Sequence, residues 1–140
     1  MTLIAAFDPG VTTGVAWLEN GVFHSDQFNE DLLYQWVDTR CEQFDHVQIE
    51  QFLINAGTIR KTIVMEPIWI TGYLRYAAWR CGFTTAMTKP ADVMKAFDDA
   101  ALKRAGMHFP GHGHANDAAR HLAAWMVRTR LVSGSVFLPK

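Results

Sequence analysis

Three carboxylates in this chain fall where predicted secondary-structure elements begin or end. Asp8 directly follows a short apolar run, and Glu50 ends a segment in which apolar and polar residues alternate. Asp117 lies in the first turn of the last predicted helix. Clustered carboxylates repel one another, so a site that gathers them needs protons or cations to neutralise it. Mg²⁺ and Mn²⁺ prefer oxygen ligands, and two such ions about 4 Å apart can activate water and stabilise the leaving oxygen of a phosphodiester. The pattern therefore suggests metal-dependent hydrolysis of nucleic acid.

Each carboxylate also has an ordinary structural explanation. Asp8 could open a turn with Pro9 and Gly10, and Glu50 could be a solvated strand end. Asp117 could simply interact favourably with a helix dipole. The residues taken singly leave both explanations open.

Four histidines near the C-terminal end of the chain raise zinc binding as an alternative. No cysteine joins them, and their spacing matches no recognised zinc pattern. Oxygen ligands therefore remain the better basis for a metal site. The four are His108, His112, His114 and His121.

Length and composition predict one domain spanning residues 1–140. With 49% hydrophobic residues, a chain of 140 residues can bury a sizeable core but has no room for a second domain. No apolar run reaches the roughly 18 residues of a membrane span, and Met1 leads directly into a strand-like segment, so we expect a cytoplasmic protein without a membrane partner. Cys41 and Cys81 lie far apart without CxxC spacing, which suggests neither a zinc ribbon nor a disulfide framework, so free thiols are expected.

The formal net charge of −1 hides an uneven distribution along the chain. Acidic residues crowd the stretch 19–50, whereas the following half is basic, so one part of the surface could face phosphate. The basic residues are Arg60, Lys61, Arg75, Arg80, Lys89, Lys95, Lys103 and Arg104.

The segments around these residues predict a mixed sheet flanked by helices. Three strand-like runs come first, and the Asn20-Gly21 pair is a strong turn signal between the second and third, so they should form an antiparallel meander. Asn29 can cap the helix that follows and ends near Cys41. Gly82 should close a later helix. The predicted strands are Thr2–Phe7, Thr13–Leu18, Gly21–Phe28, His46–Glu50 and Phe83–Met87, and the later helices are Thr62–Arg80, Pro90–Phe97 and His114–Arg128.

Three segments, in this order, resemble the motifs of RuvC-like Holliday junction resolvases, a family of the ribonuclease H-like superfamily. They are DPGVTTGVA from Asp8, VQIEQ around Glu50, and HANDAARH around Asp117. The resemblance covers roughly residues 1–130. It implies a ribonuclease H-like fold of the α/β class, with a five-stranded mixed sheet in which strands one to three are antiparallel and the later strands are parallel.

The resemblance also implies a catalytic metal site. The family's ligands correspond to Asp8, Glu50 and Asp117, and His114 matches a position where members carry aspartate or histidine. His114 would then bind a metal as neutral imidazole or transfer a proton, although it could also be an exposed residue at a helix N-terminus. The implied cofactor is Mg²⁺ or Mn²⁺, with two ions per site. His121, one turn beyond Asp117, is expected to support or pack rather than to bind metal.

A fourth segment, TKPADVMKAF from Thr88, resembles the family region in which lysines contact the phosphates of a branched substrate. Phosphate contacts supply affinity without reading sequence, which suits recognition of branch geometry. Each of these basic side chains could equally be an ordinary solvated residue. The DNA-binding candidates are Lys89, Lys95, Lys103 and Arg104.

The family resemblance implies a structure-selective endonuclease that cleaves branched DNA, including Holliday junctions, and acts as a homodimer. Aromatic residues of the predicted helix Thr62–Arg80 could form the dimer interface or belong to the core, and Phe52 could act as a wedge at a junction. The short, nearly neutral chain suggests a compact phage-type or accessory member that also cuts forks and flaps. A ribonuclease H-like nuclease acting on RNA hybrids or duplex, and a non-catalytic module that binds branched DNA, remain alternatives.

Overall fold

A computed structural model of the chain describes residues 2–53 and 64–140. Arg60, Lys61 and the predicted helix start at Thr62 lie outside these residues. Five strands form one sheet in the spatial order β3-β2-β1-β4-β5, with β1 antiparallel to β2 and parallel to β4. The strands are β1 (Leu3–Asp8), β2 (Thr13–Glu19), β3 (Val22–Phe28), β4 (Phe44–Glu50) and β5 (Thr84–Thr88). The helices are α1 (Glu30–Arg40), α2 (Glu66–Cys81), α3 (Ala91–Met94), α4 (Asp99–Arg104) and α5 (Gly113–Arg128), with single 3₁₀ turns at Cys41–Gln43 and Gly134–Phe137.

The predicted α/β fold is confirmed: the first three strands are an antiparallel meander and β4 and β5 continue the sheet in parallel. Asn20 and Gly21 both have positive φ, 53° and 79°, as a tight hairpin turn requires. Asn29 caps α1 by accepting a hydrogen bond from the Leu32 amide at 2.9 Å. Gly82 ends α2 with φ 83°, a conformation that is unfavourable for a residue with a Cβ.

Alternation along β1 separates two hydrophobic cores, one on each face of the sheet. Leu3, Ala5 and Phe7 face α1 and α2, whereas Ile4 and Ala6 face α5 and α4. Both faces are buried because helices cover both sides, as is usual where strands run parallel. The final residue of β1 therefore belongs to the face that α5 covers.

Two predicted elements near the C-terminal end differ from the structure. The helix expected over Pro90–Phe97 is the single turn α3, and the basic segment from Lys103 ends a further short helix, α4. Asp98 starts α4 by accepting a hydrogen bond from the Ala101 amide at 2.9 Å. Both helices are too short for an apolar period to show in the sequence, so capping residues were the only available signal.

The expectation of free thiols is wrong, because Cys41 and Cys81 form a disulfide. They are 40 residues apart in sequence, but α1 and α2 pack against the same face of the sheet and both end at this point. The Arg80–Asp38 ion pair, at 2.9 Å, connects the same two helix ends. Sequence spacing could not reveal the pair, because helix packing alone brings the two residues together.

Among residues 2–53 and 64–140, no helix is long and apolar enough to cross a membrane.

Candidate active site

One row of residues crosses four strands and forms the floor of the candidate site. Antiparallel pairing places Gln27 of β3 beside Gly14 of β2, and Gly14 beside Asp8 of β1. Parallel pairing of Phe7 with Ile49 brings Asp8 next to Glu50. Since directly paired residues point to the same face, the whole row lies under α5. Sheet geometry alone thus brings two of the predicted carboxylates together.

Gly14 allows α5 to approach this row. A Cβ at Gly14 would lie 1.8 Å from the carbonyl oxygen of His114 and 2.6 Å from the amide nitrogen of Ala115, far inside van der Waals contact. The glycine of the DPGVTTG segment is therefore needed for close packing between β2 and the start of α5. This contact places His114 over the end of β1.

Gln27 caps α5 from across the sheet. The residue before the helix, His112, makes no capping hydrogen bond with its side chain. Instead, Gln27 Oε1 accepts hydrogen bonds from the amides of His114 at 3.0 Å and Ala115 at 3.2 Å. These are among the amide groups that a helix start leaves without intrahelical partners, so Gln27 both stabilises α5 and fixes its position over the sheet.

The structure brings all four predicted site residues to this place. His114 Nδ1 lies 3.3 Å from Asp8 Oδ2, and Asp8 and Glu50 are close enough for a side-chain hydrogen bond. Burial, together with the hydrogen bond and the negative charges of Glu50 and Asp117, raises the pKa of Asp8 to about 9. A proton therefore neutralises part of the cluster when no cation is bound.

Glu50 and Asp117 are each contacted by a buried cationic or titratable side chain of α5. Burial opposes ionisation of Glu50, but hydrogen bonding with His121 and Asp8 outweighs it and lowers the pKa of Glu50. His121 is 2% exposed and its Nε2 lies 3.5 Å from Glu50 Oε2. Burial raises the pKa of Asp117 even though Arg120, whose Nη1 donates to Asp117 Oδ1 at 2.7 Å, acts in the opposite direction.

Two hollows open onto the carboxylates. One hollow, of about 220 Å³, is lined by Asp8, Glu50, Phe52 and Pro90 among others. It therefore extends from the carboxylates to the residues that follow β4. The second, of about 160 Å³, is lined by Glu50 and Asp117 together with Val93 and Met94 of α3. Phe52 is half-buried at the edge of the first hollow, and its role as a wedge stays a prediction.

The donor set fits a hard divalent cation, although the side chains do not yet surround one point. Within the described parts of the chain, no three His, Cys, Asp or Glu side chains are arranged to hold one ion. Glu50 Oε2 is nevertheless buried and makes no hydrogen bond of good geometry, since His121 Nε2 approaches it only to 3.5 Å, and a weakly satisfied carboxylate oxygen is costly to bury. Carboxylate oxygens with one imidazole are suitable ligands for Mg²⁺ or Mn²⁺. Binding would require Asp8 to lose its proton and these side chains to adjust.

The four predicted DNA-binding residues lie on exposed surface. Lys89 follows β5 and Lys95 follows α3, so both are close in sequence to the Pro90 and Val93 side chains that line the two hollows. Lys103 and Arg104 end α4, and Arg104 Nη1 donates to the Phe137 carbonyl at 3.1 Å. Arg104 therefore also stabilises the C-terminal segment.

Sequence reasoning missed several residues that build the site. Gly14 was only part of a motif, and Gln27 appeared as one polar position of a strand. Arg120 and Asp99 gave no signal beyond the spacing of Arg120 one turn after Asp117. His121 was expected to support or pack rather than to bind metal, and its Nε2 lies 3.5 Å from Glu50 Oε2; the supporting role stays a prediction.

Comparison with solved structures shows the fold of RuvC. RuvC of Thermus thermophilus in complex with a Holliday junction substrate matches with a TM-score of 0.64 and 17% identity over 92% of this chain and 96% of that chain. A second Thermus thermophilus RuvC structure matches with a TM-score of 0.62 and 17% identity over 91% and 96%. No family model and no curated protein sequence matches the chain. The predicted RuvC-like architecture is thereby confirmed at the level of fold.

Proposed function

We propose that this protein is a metal-dependent endonuclease that cleaves branched DNA, Holliday junctions included. The observation that carries the proposal is the convergence of Asp8, Glu50, His114 and Asp117 at one edge of the sheet, under the first turns of α5. Residues from three widely separated parts of the sequence would not be expected to gather in this way for solubility alone. The RuvC fold supports the proposal, because one of the matching structures contains a Holliday junction substrate.

Asp8, Glu50, His114 and Asp117 would hold the cations, Mg²⁺ or Mn²⁺, as a pair. When bound, such ions activate water for attack on a phosphodiester and stabilise the leaving oxygen. The chain itself holds these ligands on strand ends and a helix start, which are rigid supports. Asp8 would have to lose its proton to serve as a ligand, so metal affinity should rise with pH.

His114 is the most accessible of the four, with a side chain that is 54% exposed, whereas that of Asp8 is 16% exposed. Its imidazole contacts Asp8 and is also exposed enough to contact a substrate. We assign His114 to the metal site or to proton transfer at the scissile phosphate. Replacing His114 by aspartate should retain more cleavage than replacing it by alanine if metal binding is its main role.

DNA would approach along the side of the site that carries Lys89 and Lys95. Both side chains are exposed and lie beside segments that line the hollows at the carboxylates. Lys103 and Arg104, at the end of α4, would extend the phosphate contacts away from the centre. Such contacts bind the backbone without reading sequence, as selection by branch geometry requires.

We also propose that two copies associate through α2. Met65, Trp69, Gly72, Tyr76 and Trp79 follow alternating spacings of four and three residues, and Trp69, Tyr76 and Trp79 are 52%, 55% and 80% exposed. That spacing forms a continuous stripe suited to packing against a second helix. Tyr73, another aromatic residue of this helix, instead donates to the Tyr34 carbonyl within the protein.

Sedimentation velocity tests this association. Wild type should sediment as a dimer, and Trp69→Lys together with Trp79→Lys should shift it to monomer without lowering helix content. A monomeric wild type at micromolar concentration would contradict the proposed dimer and leave the site chemistry unaffected.

Cleavage of a substrate panel tests the function itself. The panel contains a labelled four-way junction, a flap, linear duplex and an RNA–DNA hybrid, each incubated with Mg²⁺, Mn²⁺ or chelator. Wild type should cut branched DNA only with metal, and Asp8→Asn should bind the junction but not cut it. Preferred cutting of the hybrid would favour a ribonuclease H-like activity, and binding without cutting under every metal would favour a non-catalytic module.

A further inference from the structure

Arg120 is a buried cation placed directly behind the candidate metal site. Its side chain is 9% exposed, and its Nη1 donates to Asp117 Oδ1 at 2.7 Å. Its Nη2 donates to Asp99 Oδ1, at the first turn of α4. One planar guanidinium thus connects a carboxylate of the site with a carboxylate outside it.

The burial of this arginine needs an explanation. Removing a guanidinium from water carries a large desolvation cost unless its donors are paired, and Nε of Arg120 has no hydrogen-bond partner. An apolar side chain would fill the same space between α4 and α5 without that cost. The charge of Arg120 therefore acts chiefly on the two carboxylates that it contacts. The Asp99 side chain is 59% exposed and needs no neutralisation, so Asp117 is the residue for which the charge matters.

We propose that Arg120 is a positioning residue for Asp117 and that Asp99 anchors Arg120. This inference rests on the proposed metal-dependent function. With Oδ1 held by Arg120, Asp117 presents its other oxygen, Oδ2, to a cation. Asp99 keeps the guanidinium from rotating away, because it occupies the second arm of the fork.

Charge and orientation act in opposite directions on metal binding. A positive charge beside Asp117 repels a divalent cation, so removing it would strengthen binding through electrostatics alone. A fixed carboxylate strengthens binding, and losing the groups that orient a ligand commonly weakens metal affinity about 10- to 100-fold. Arg120→Lys separates the two effects, because it keeps the charge and loses the two-armed geometry.

The experiment measures Mn²⁺ binding to the full chain from the electron paramagnetic resonance signal of free Mn²⁺. Arg120→Lys should weaken binding about tenfold or more, and Asp99→Ala should weaken it several-fold. The double variant should bind no more weakly than Arg120→Lys alone, because Asp99 acts through Arg120. Asp92→Asn, which removes another exposed carboxylate, is the matched control and should leave binding nearly unchanged.

Cleavage of the four-way junction gives a second readout: Arg120→Lys should lower kcat at saturating DNA with little change in KM, and added Mn²⁺ should restore part of the rate. Asp99→Ala carries the test if Arg120→Lys does not fold, since Asp99 is exposed. Mn²⁺ binding and cleavage equal to wild type in both variants would overturn the positioning role while the proposed function stands. Failure of wild type to bind Mn²⁺ and to cut would overturn both.

Discussion

Asp8→Asn should stabilise the metal-free protein while removing its activity. In the folded chain the pKa of Asp8 is raised to about 9 from an ordinary value of 3.8, mainly by burial and by Glu50. At pH 7 folding must therefore protonate a carboxyl that is ionised in the unfolded chain. The amide resembles the protonated carboxyl in shape and needs no proton, so the variant avoids that cost.

The magnitude follows from the two pKa values. Protonating an acid of pKa 3.8 at pH 7 costs about 1.36 kcal/mol per pH unit, or about 4 kcal/mol. Because Glu50 shares the proton, we expect an observed gain of about 2–4 kcal/mol in the free energy of unfolding. For a domain of this size the lower figure corresponds to roughly 6–10 °C in Tm.

The sign with pH is fixed by the direction of the shift. A carboxyl whose pKa is raised in the folded chain lowers the free energy of unfolding little below about pH 4. The loss of stability that it causes grows as the pH rises toward 9. The gap between Asp8→Asn and wild type should therefore be small at pH 4.5 and large at pH 8. Thermal and urea unfolding in chelator, followed by tryptophan fluorescence, measure it, with the exposed Glu42→Gln as control. A variant that is no more stable than wild type at pH 8, or a gap that does not grow with pH, would show that Asp8 is not protonated in the folded chain.

Three other changes test how the site is built. Gly14→Ala should destabilise the protein by several kcal/mol or displace α5, because its Cβ would lie 1.8 Å from the carbonyl oxygen of His114; a Tm within 2 °C of wild type would contradict this. Gln27→Leu should cost about 1–3 kcal/mol, because two helix amides lose their acceptor, whereas the exposed Gln35→Leu should cost much less in the same urea titration. Lys89→Ala should weaken junction binding at all sequences and reduce the slope of log Kd against log salt by about 1; an unchanged slope would remove this residue from the DNA surface.

Alternation and strand ends made much of the site predictable. Asp8 ends a short apolar strand and Glu50 ends an alternating one, so the sequence placed each carboxylate at a strand terminus. That the two termini meet at one edge depended on the parallel strands that the family resemblance implied. The hairpin at Asn20-Gly21 and the Asn29 cap were also local signals, and both are present. The prediction that Asp117 lies opposite them depended on the family resemblance, because no local sequence pattern indicates which face of the sheet a helix packs against.

Contacts that depend on tertiary packing could not be predicted from the sequence. Gln27 caps α5 over a separation of 87 residues, and Arg120 meets Asp99 from another helix. The Cys41–Cys81 disulfide was missed for the same reason, because it joins the ends of two helices that become neighbours only on the sheet. In each case the residue could be read from the sequence, but its partner could not, because the packing of distant elements determines which residues meet.

We propose that the cluster at the sheet edge binds metal and cleaves branched DNA. The most direct measurement is single-turnover cleavage of a preformed four-way junction by wild type and by Asp117→Asn, at equal bound fraction, with Mn²⁺ and with chelator. We predict cutting by wild type with Mn²⁺ only, and a loss of at least about 10³-fold for Asp117→Asn despite intact binding. Cutting by wild type in chelator, or equal cutting by Asp117→Asn, would contradict metal-dependent cleavage at this cluster.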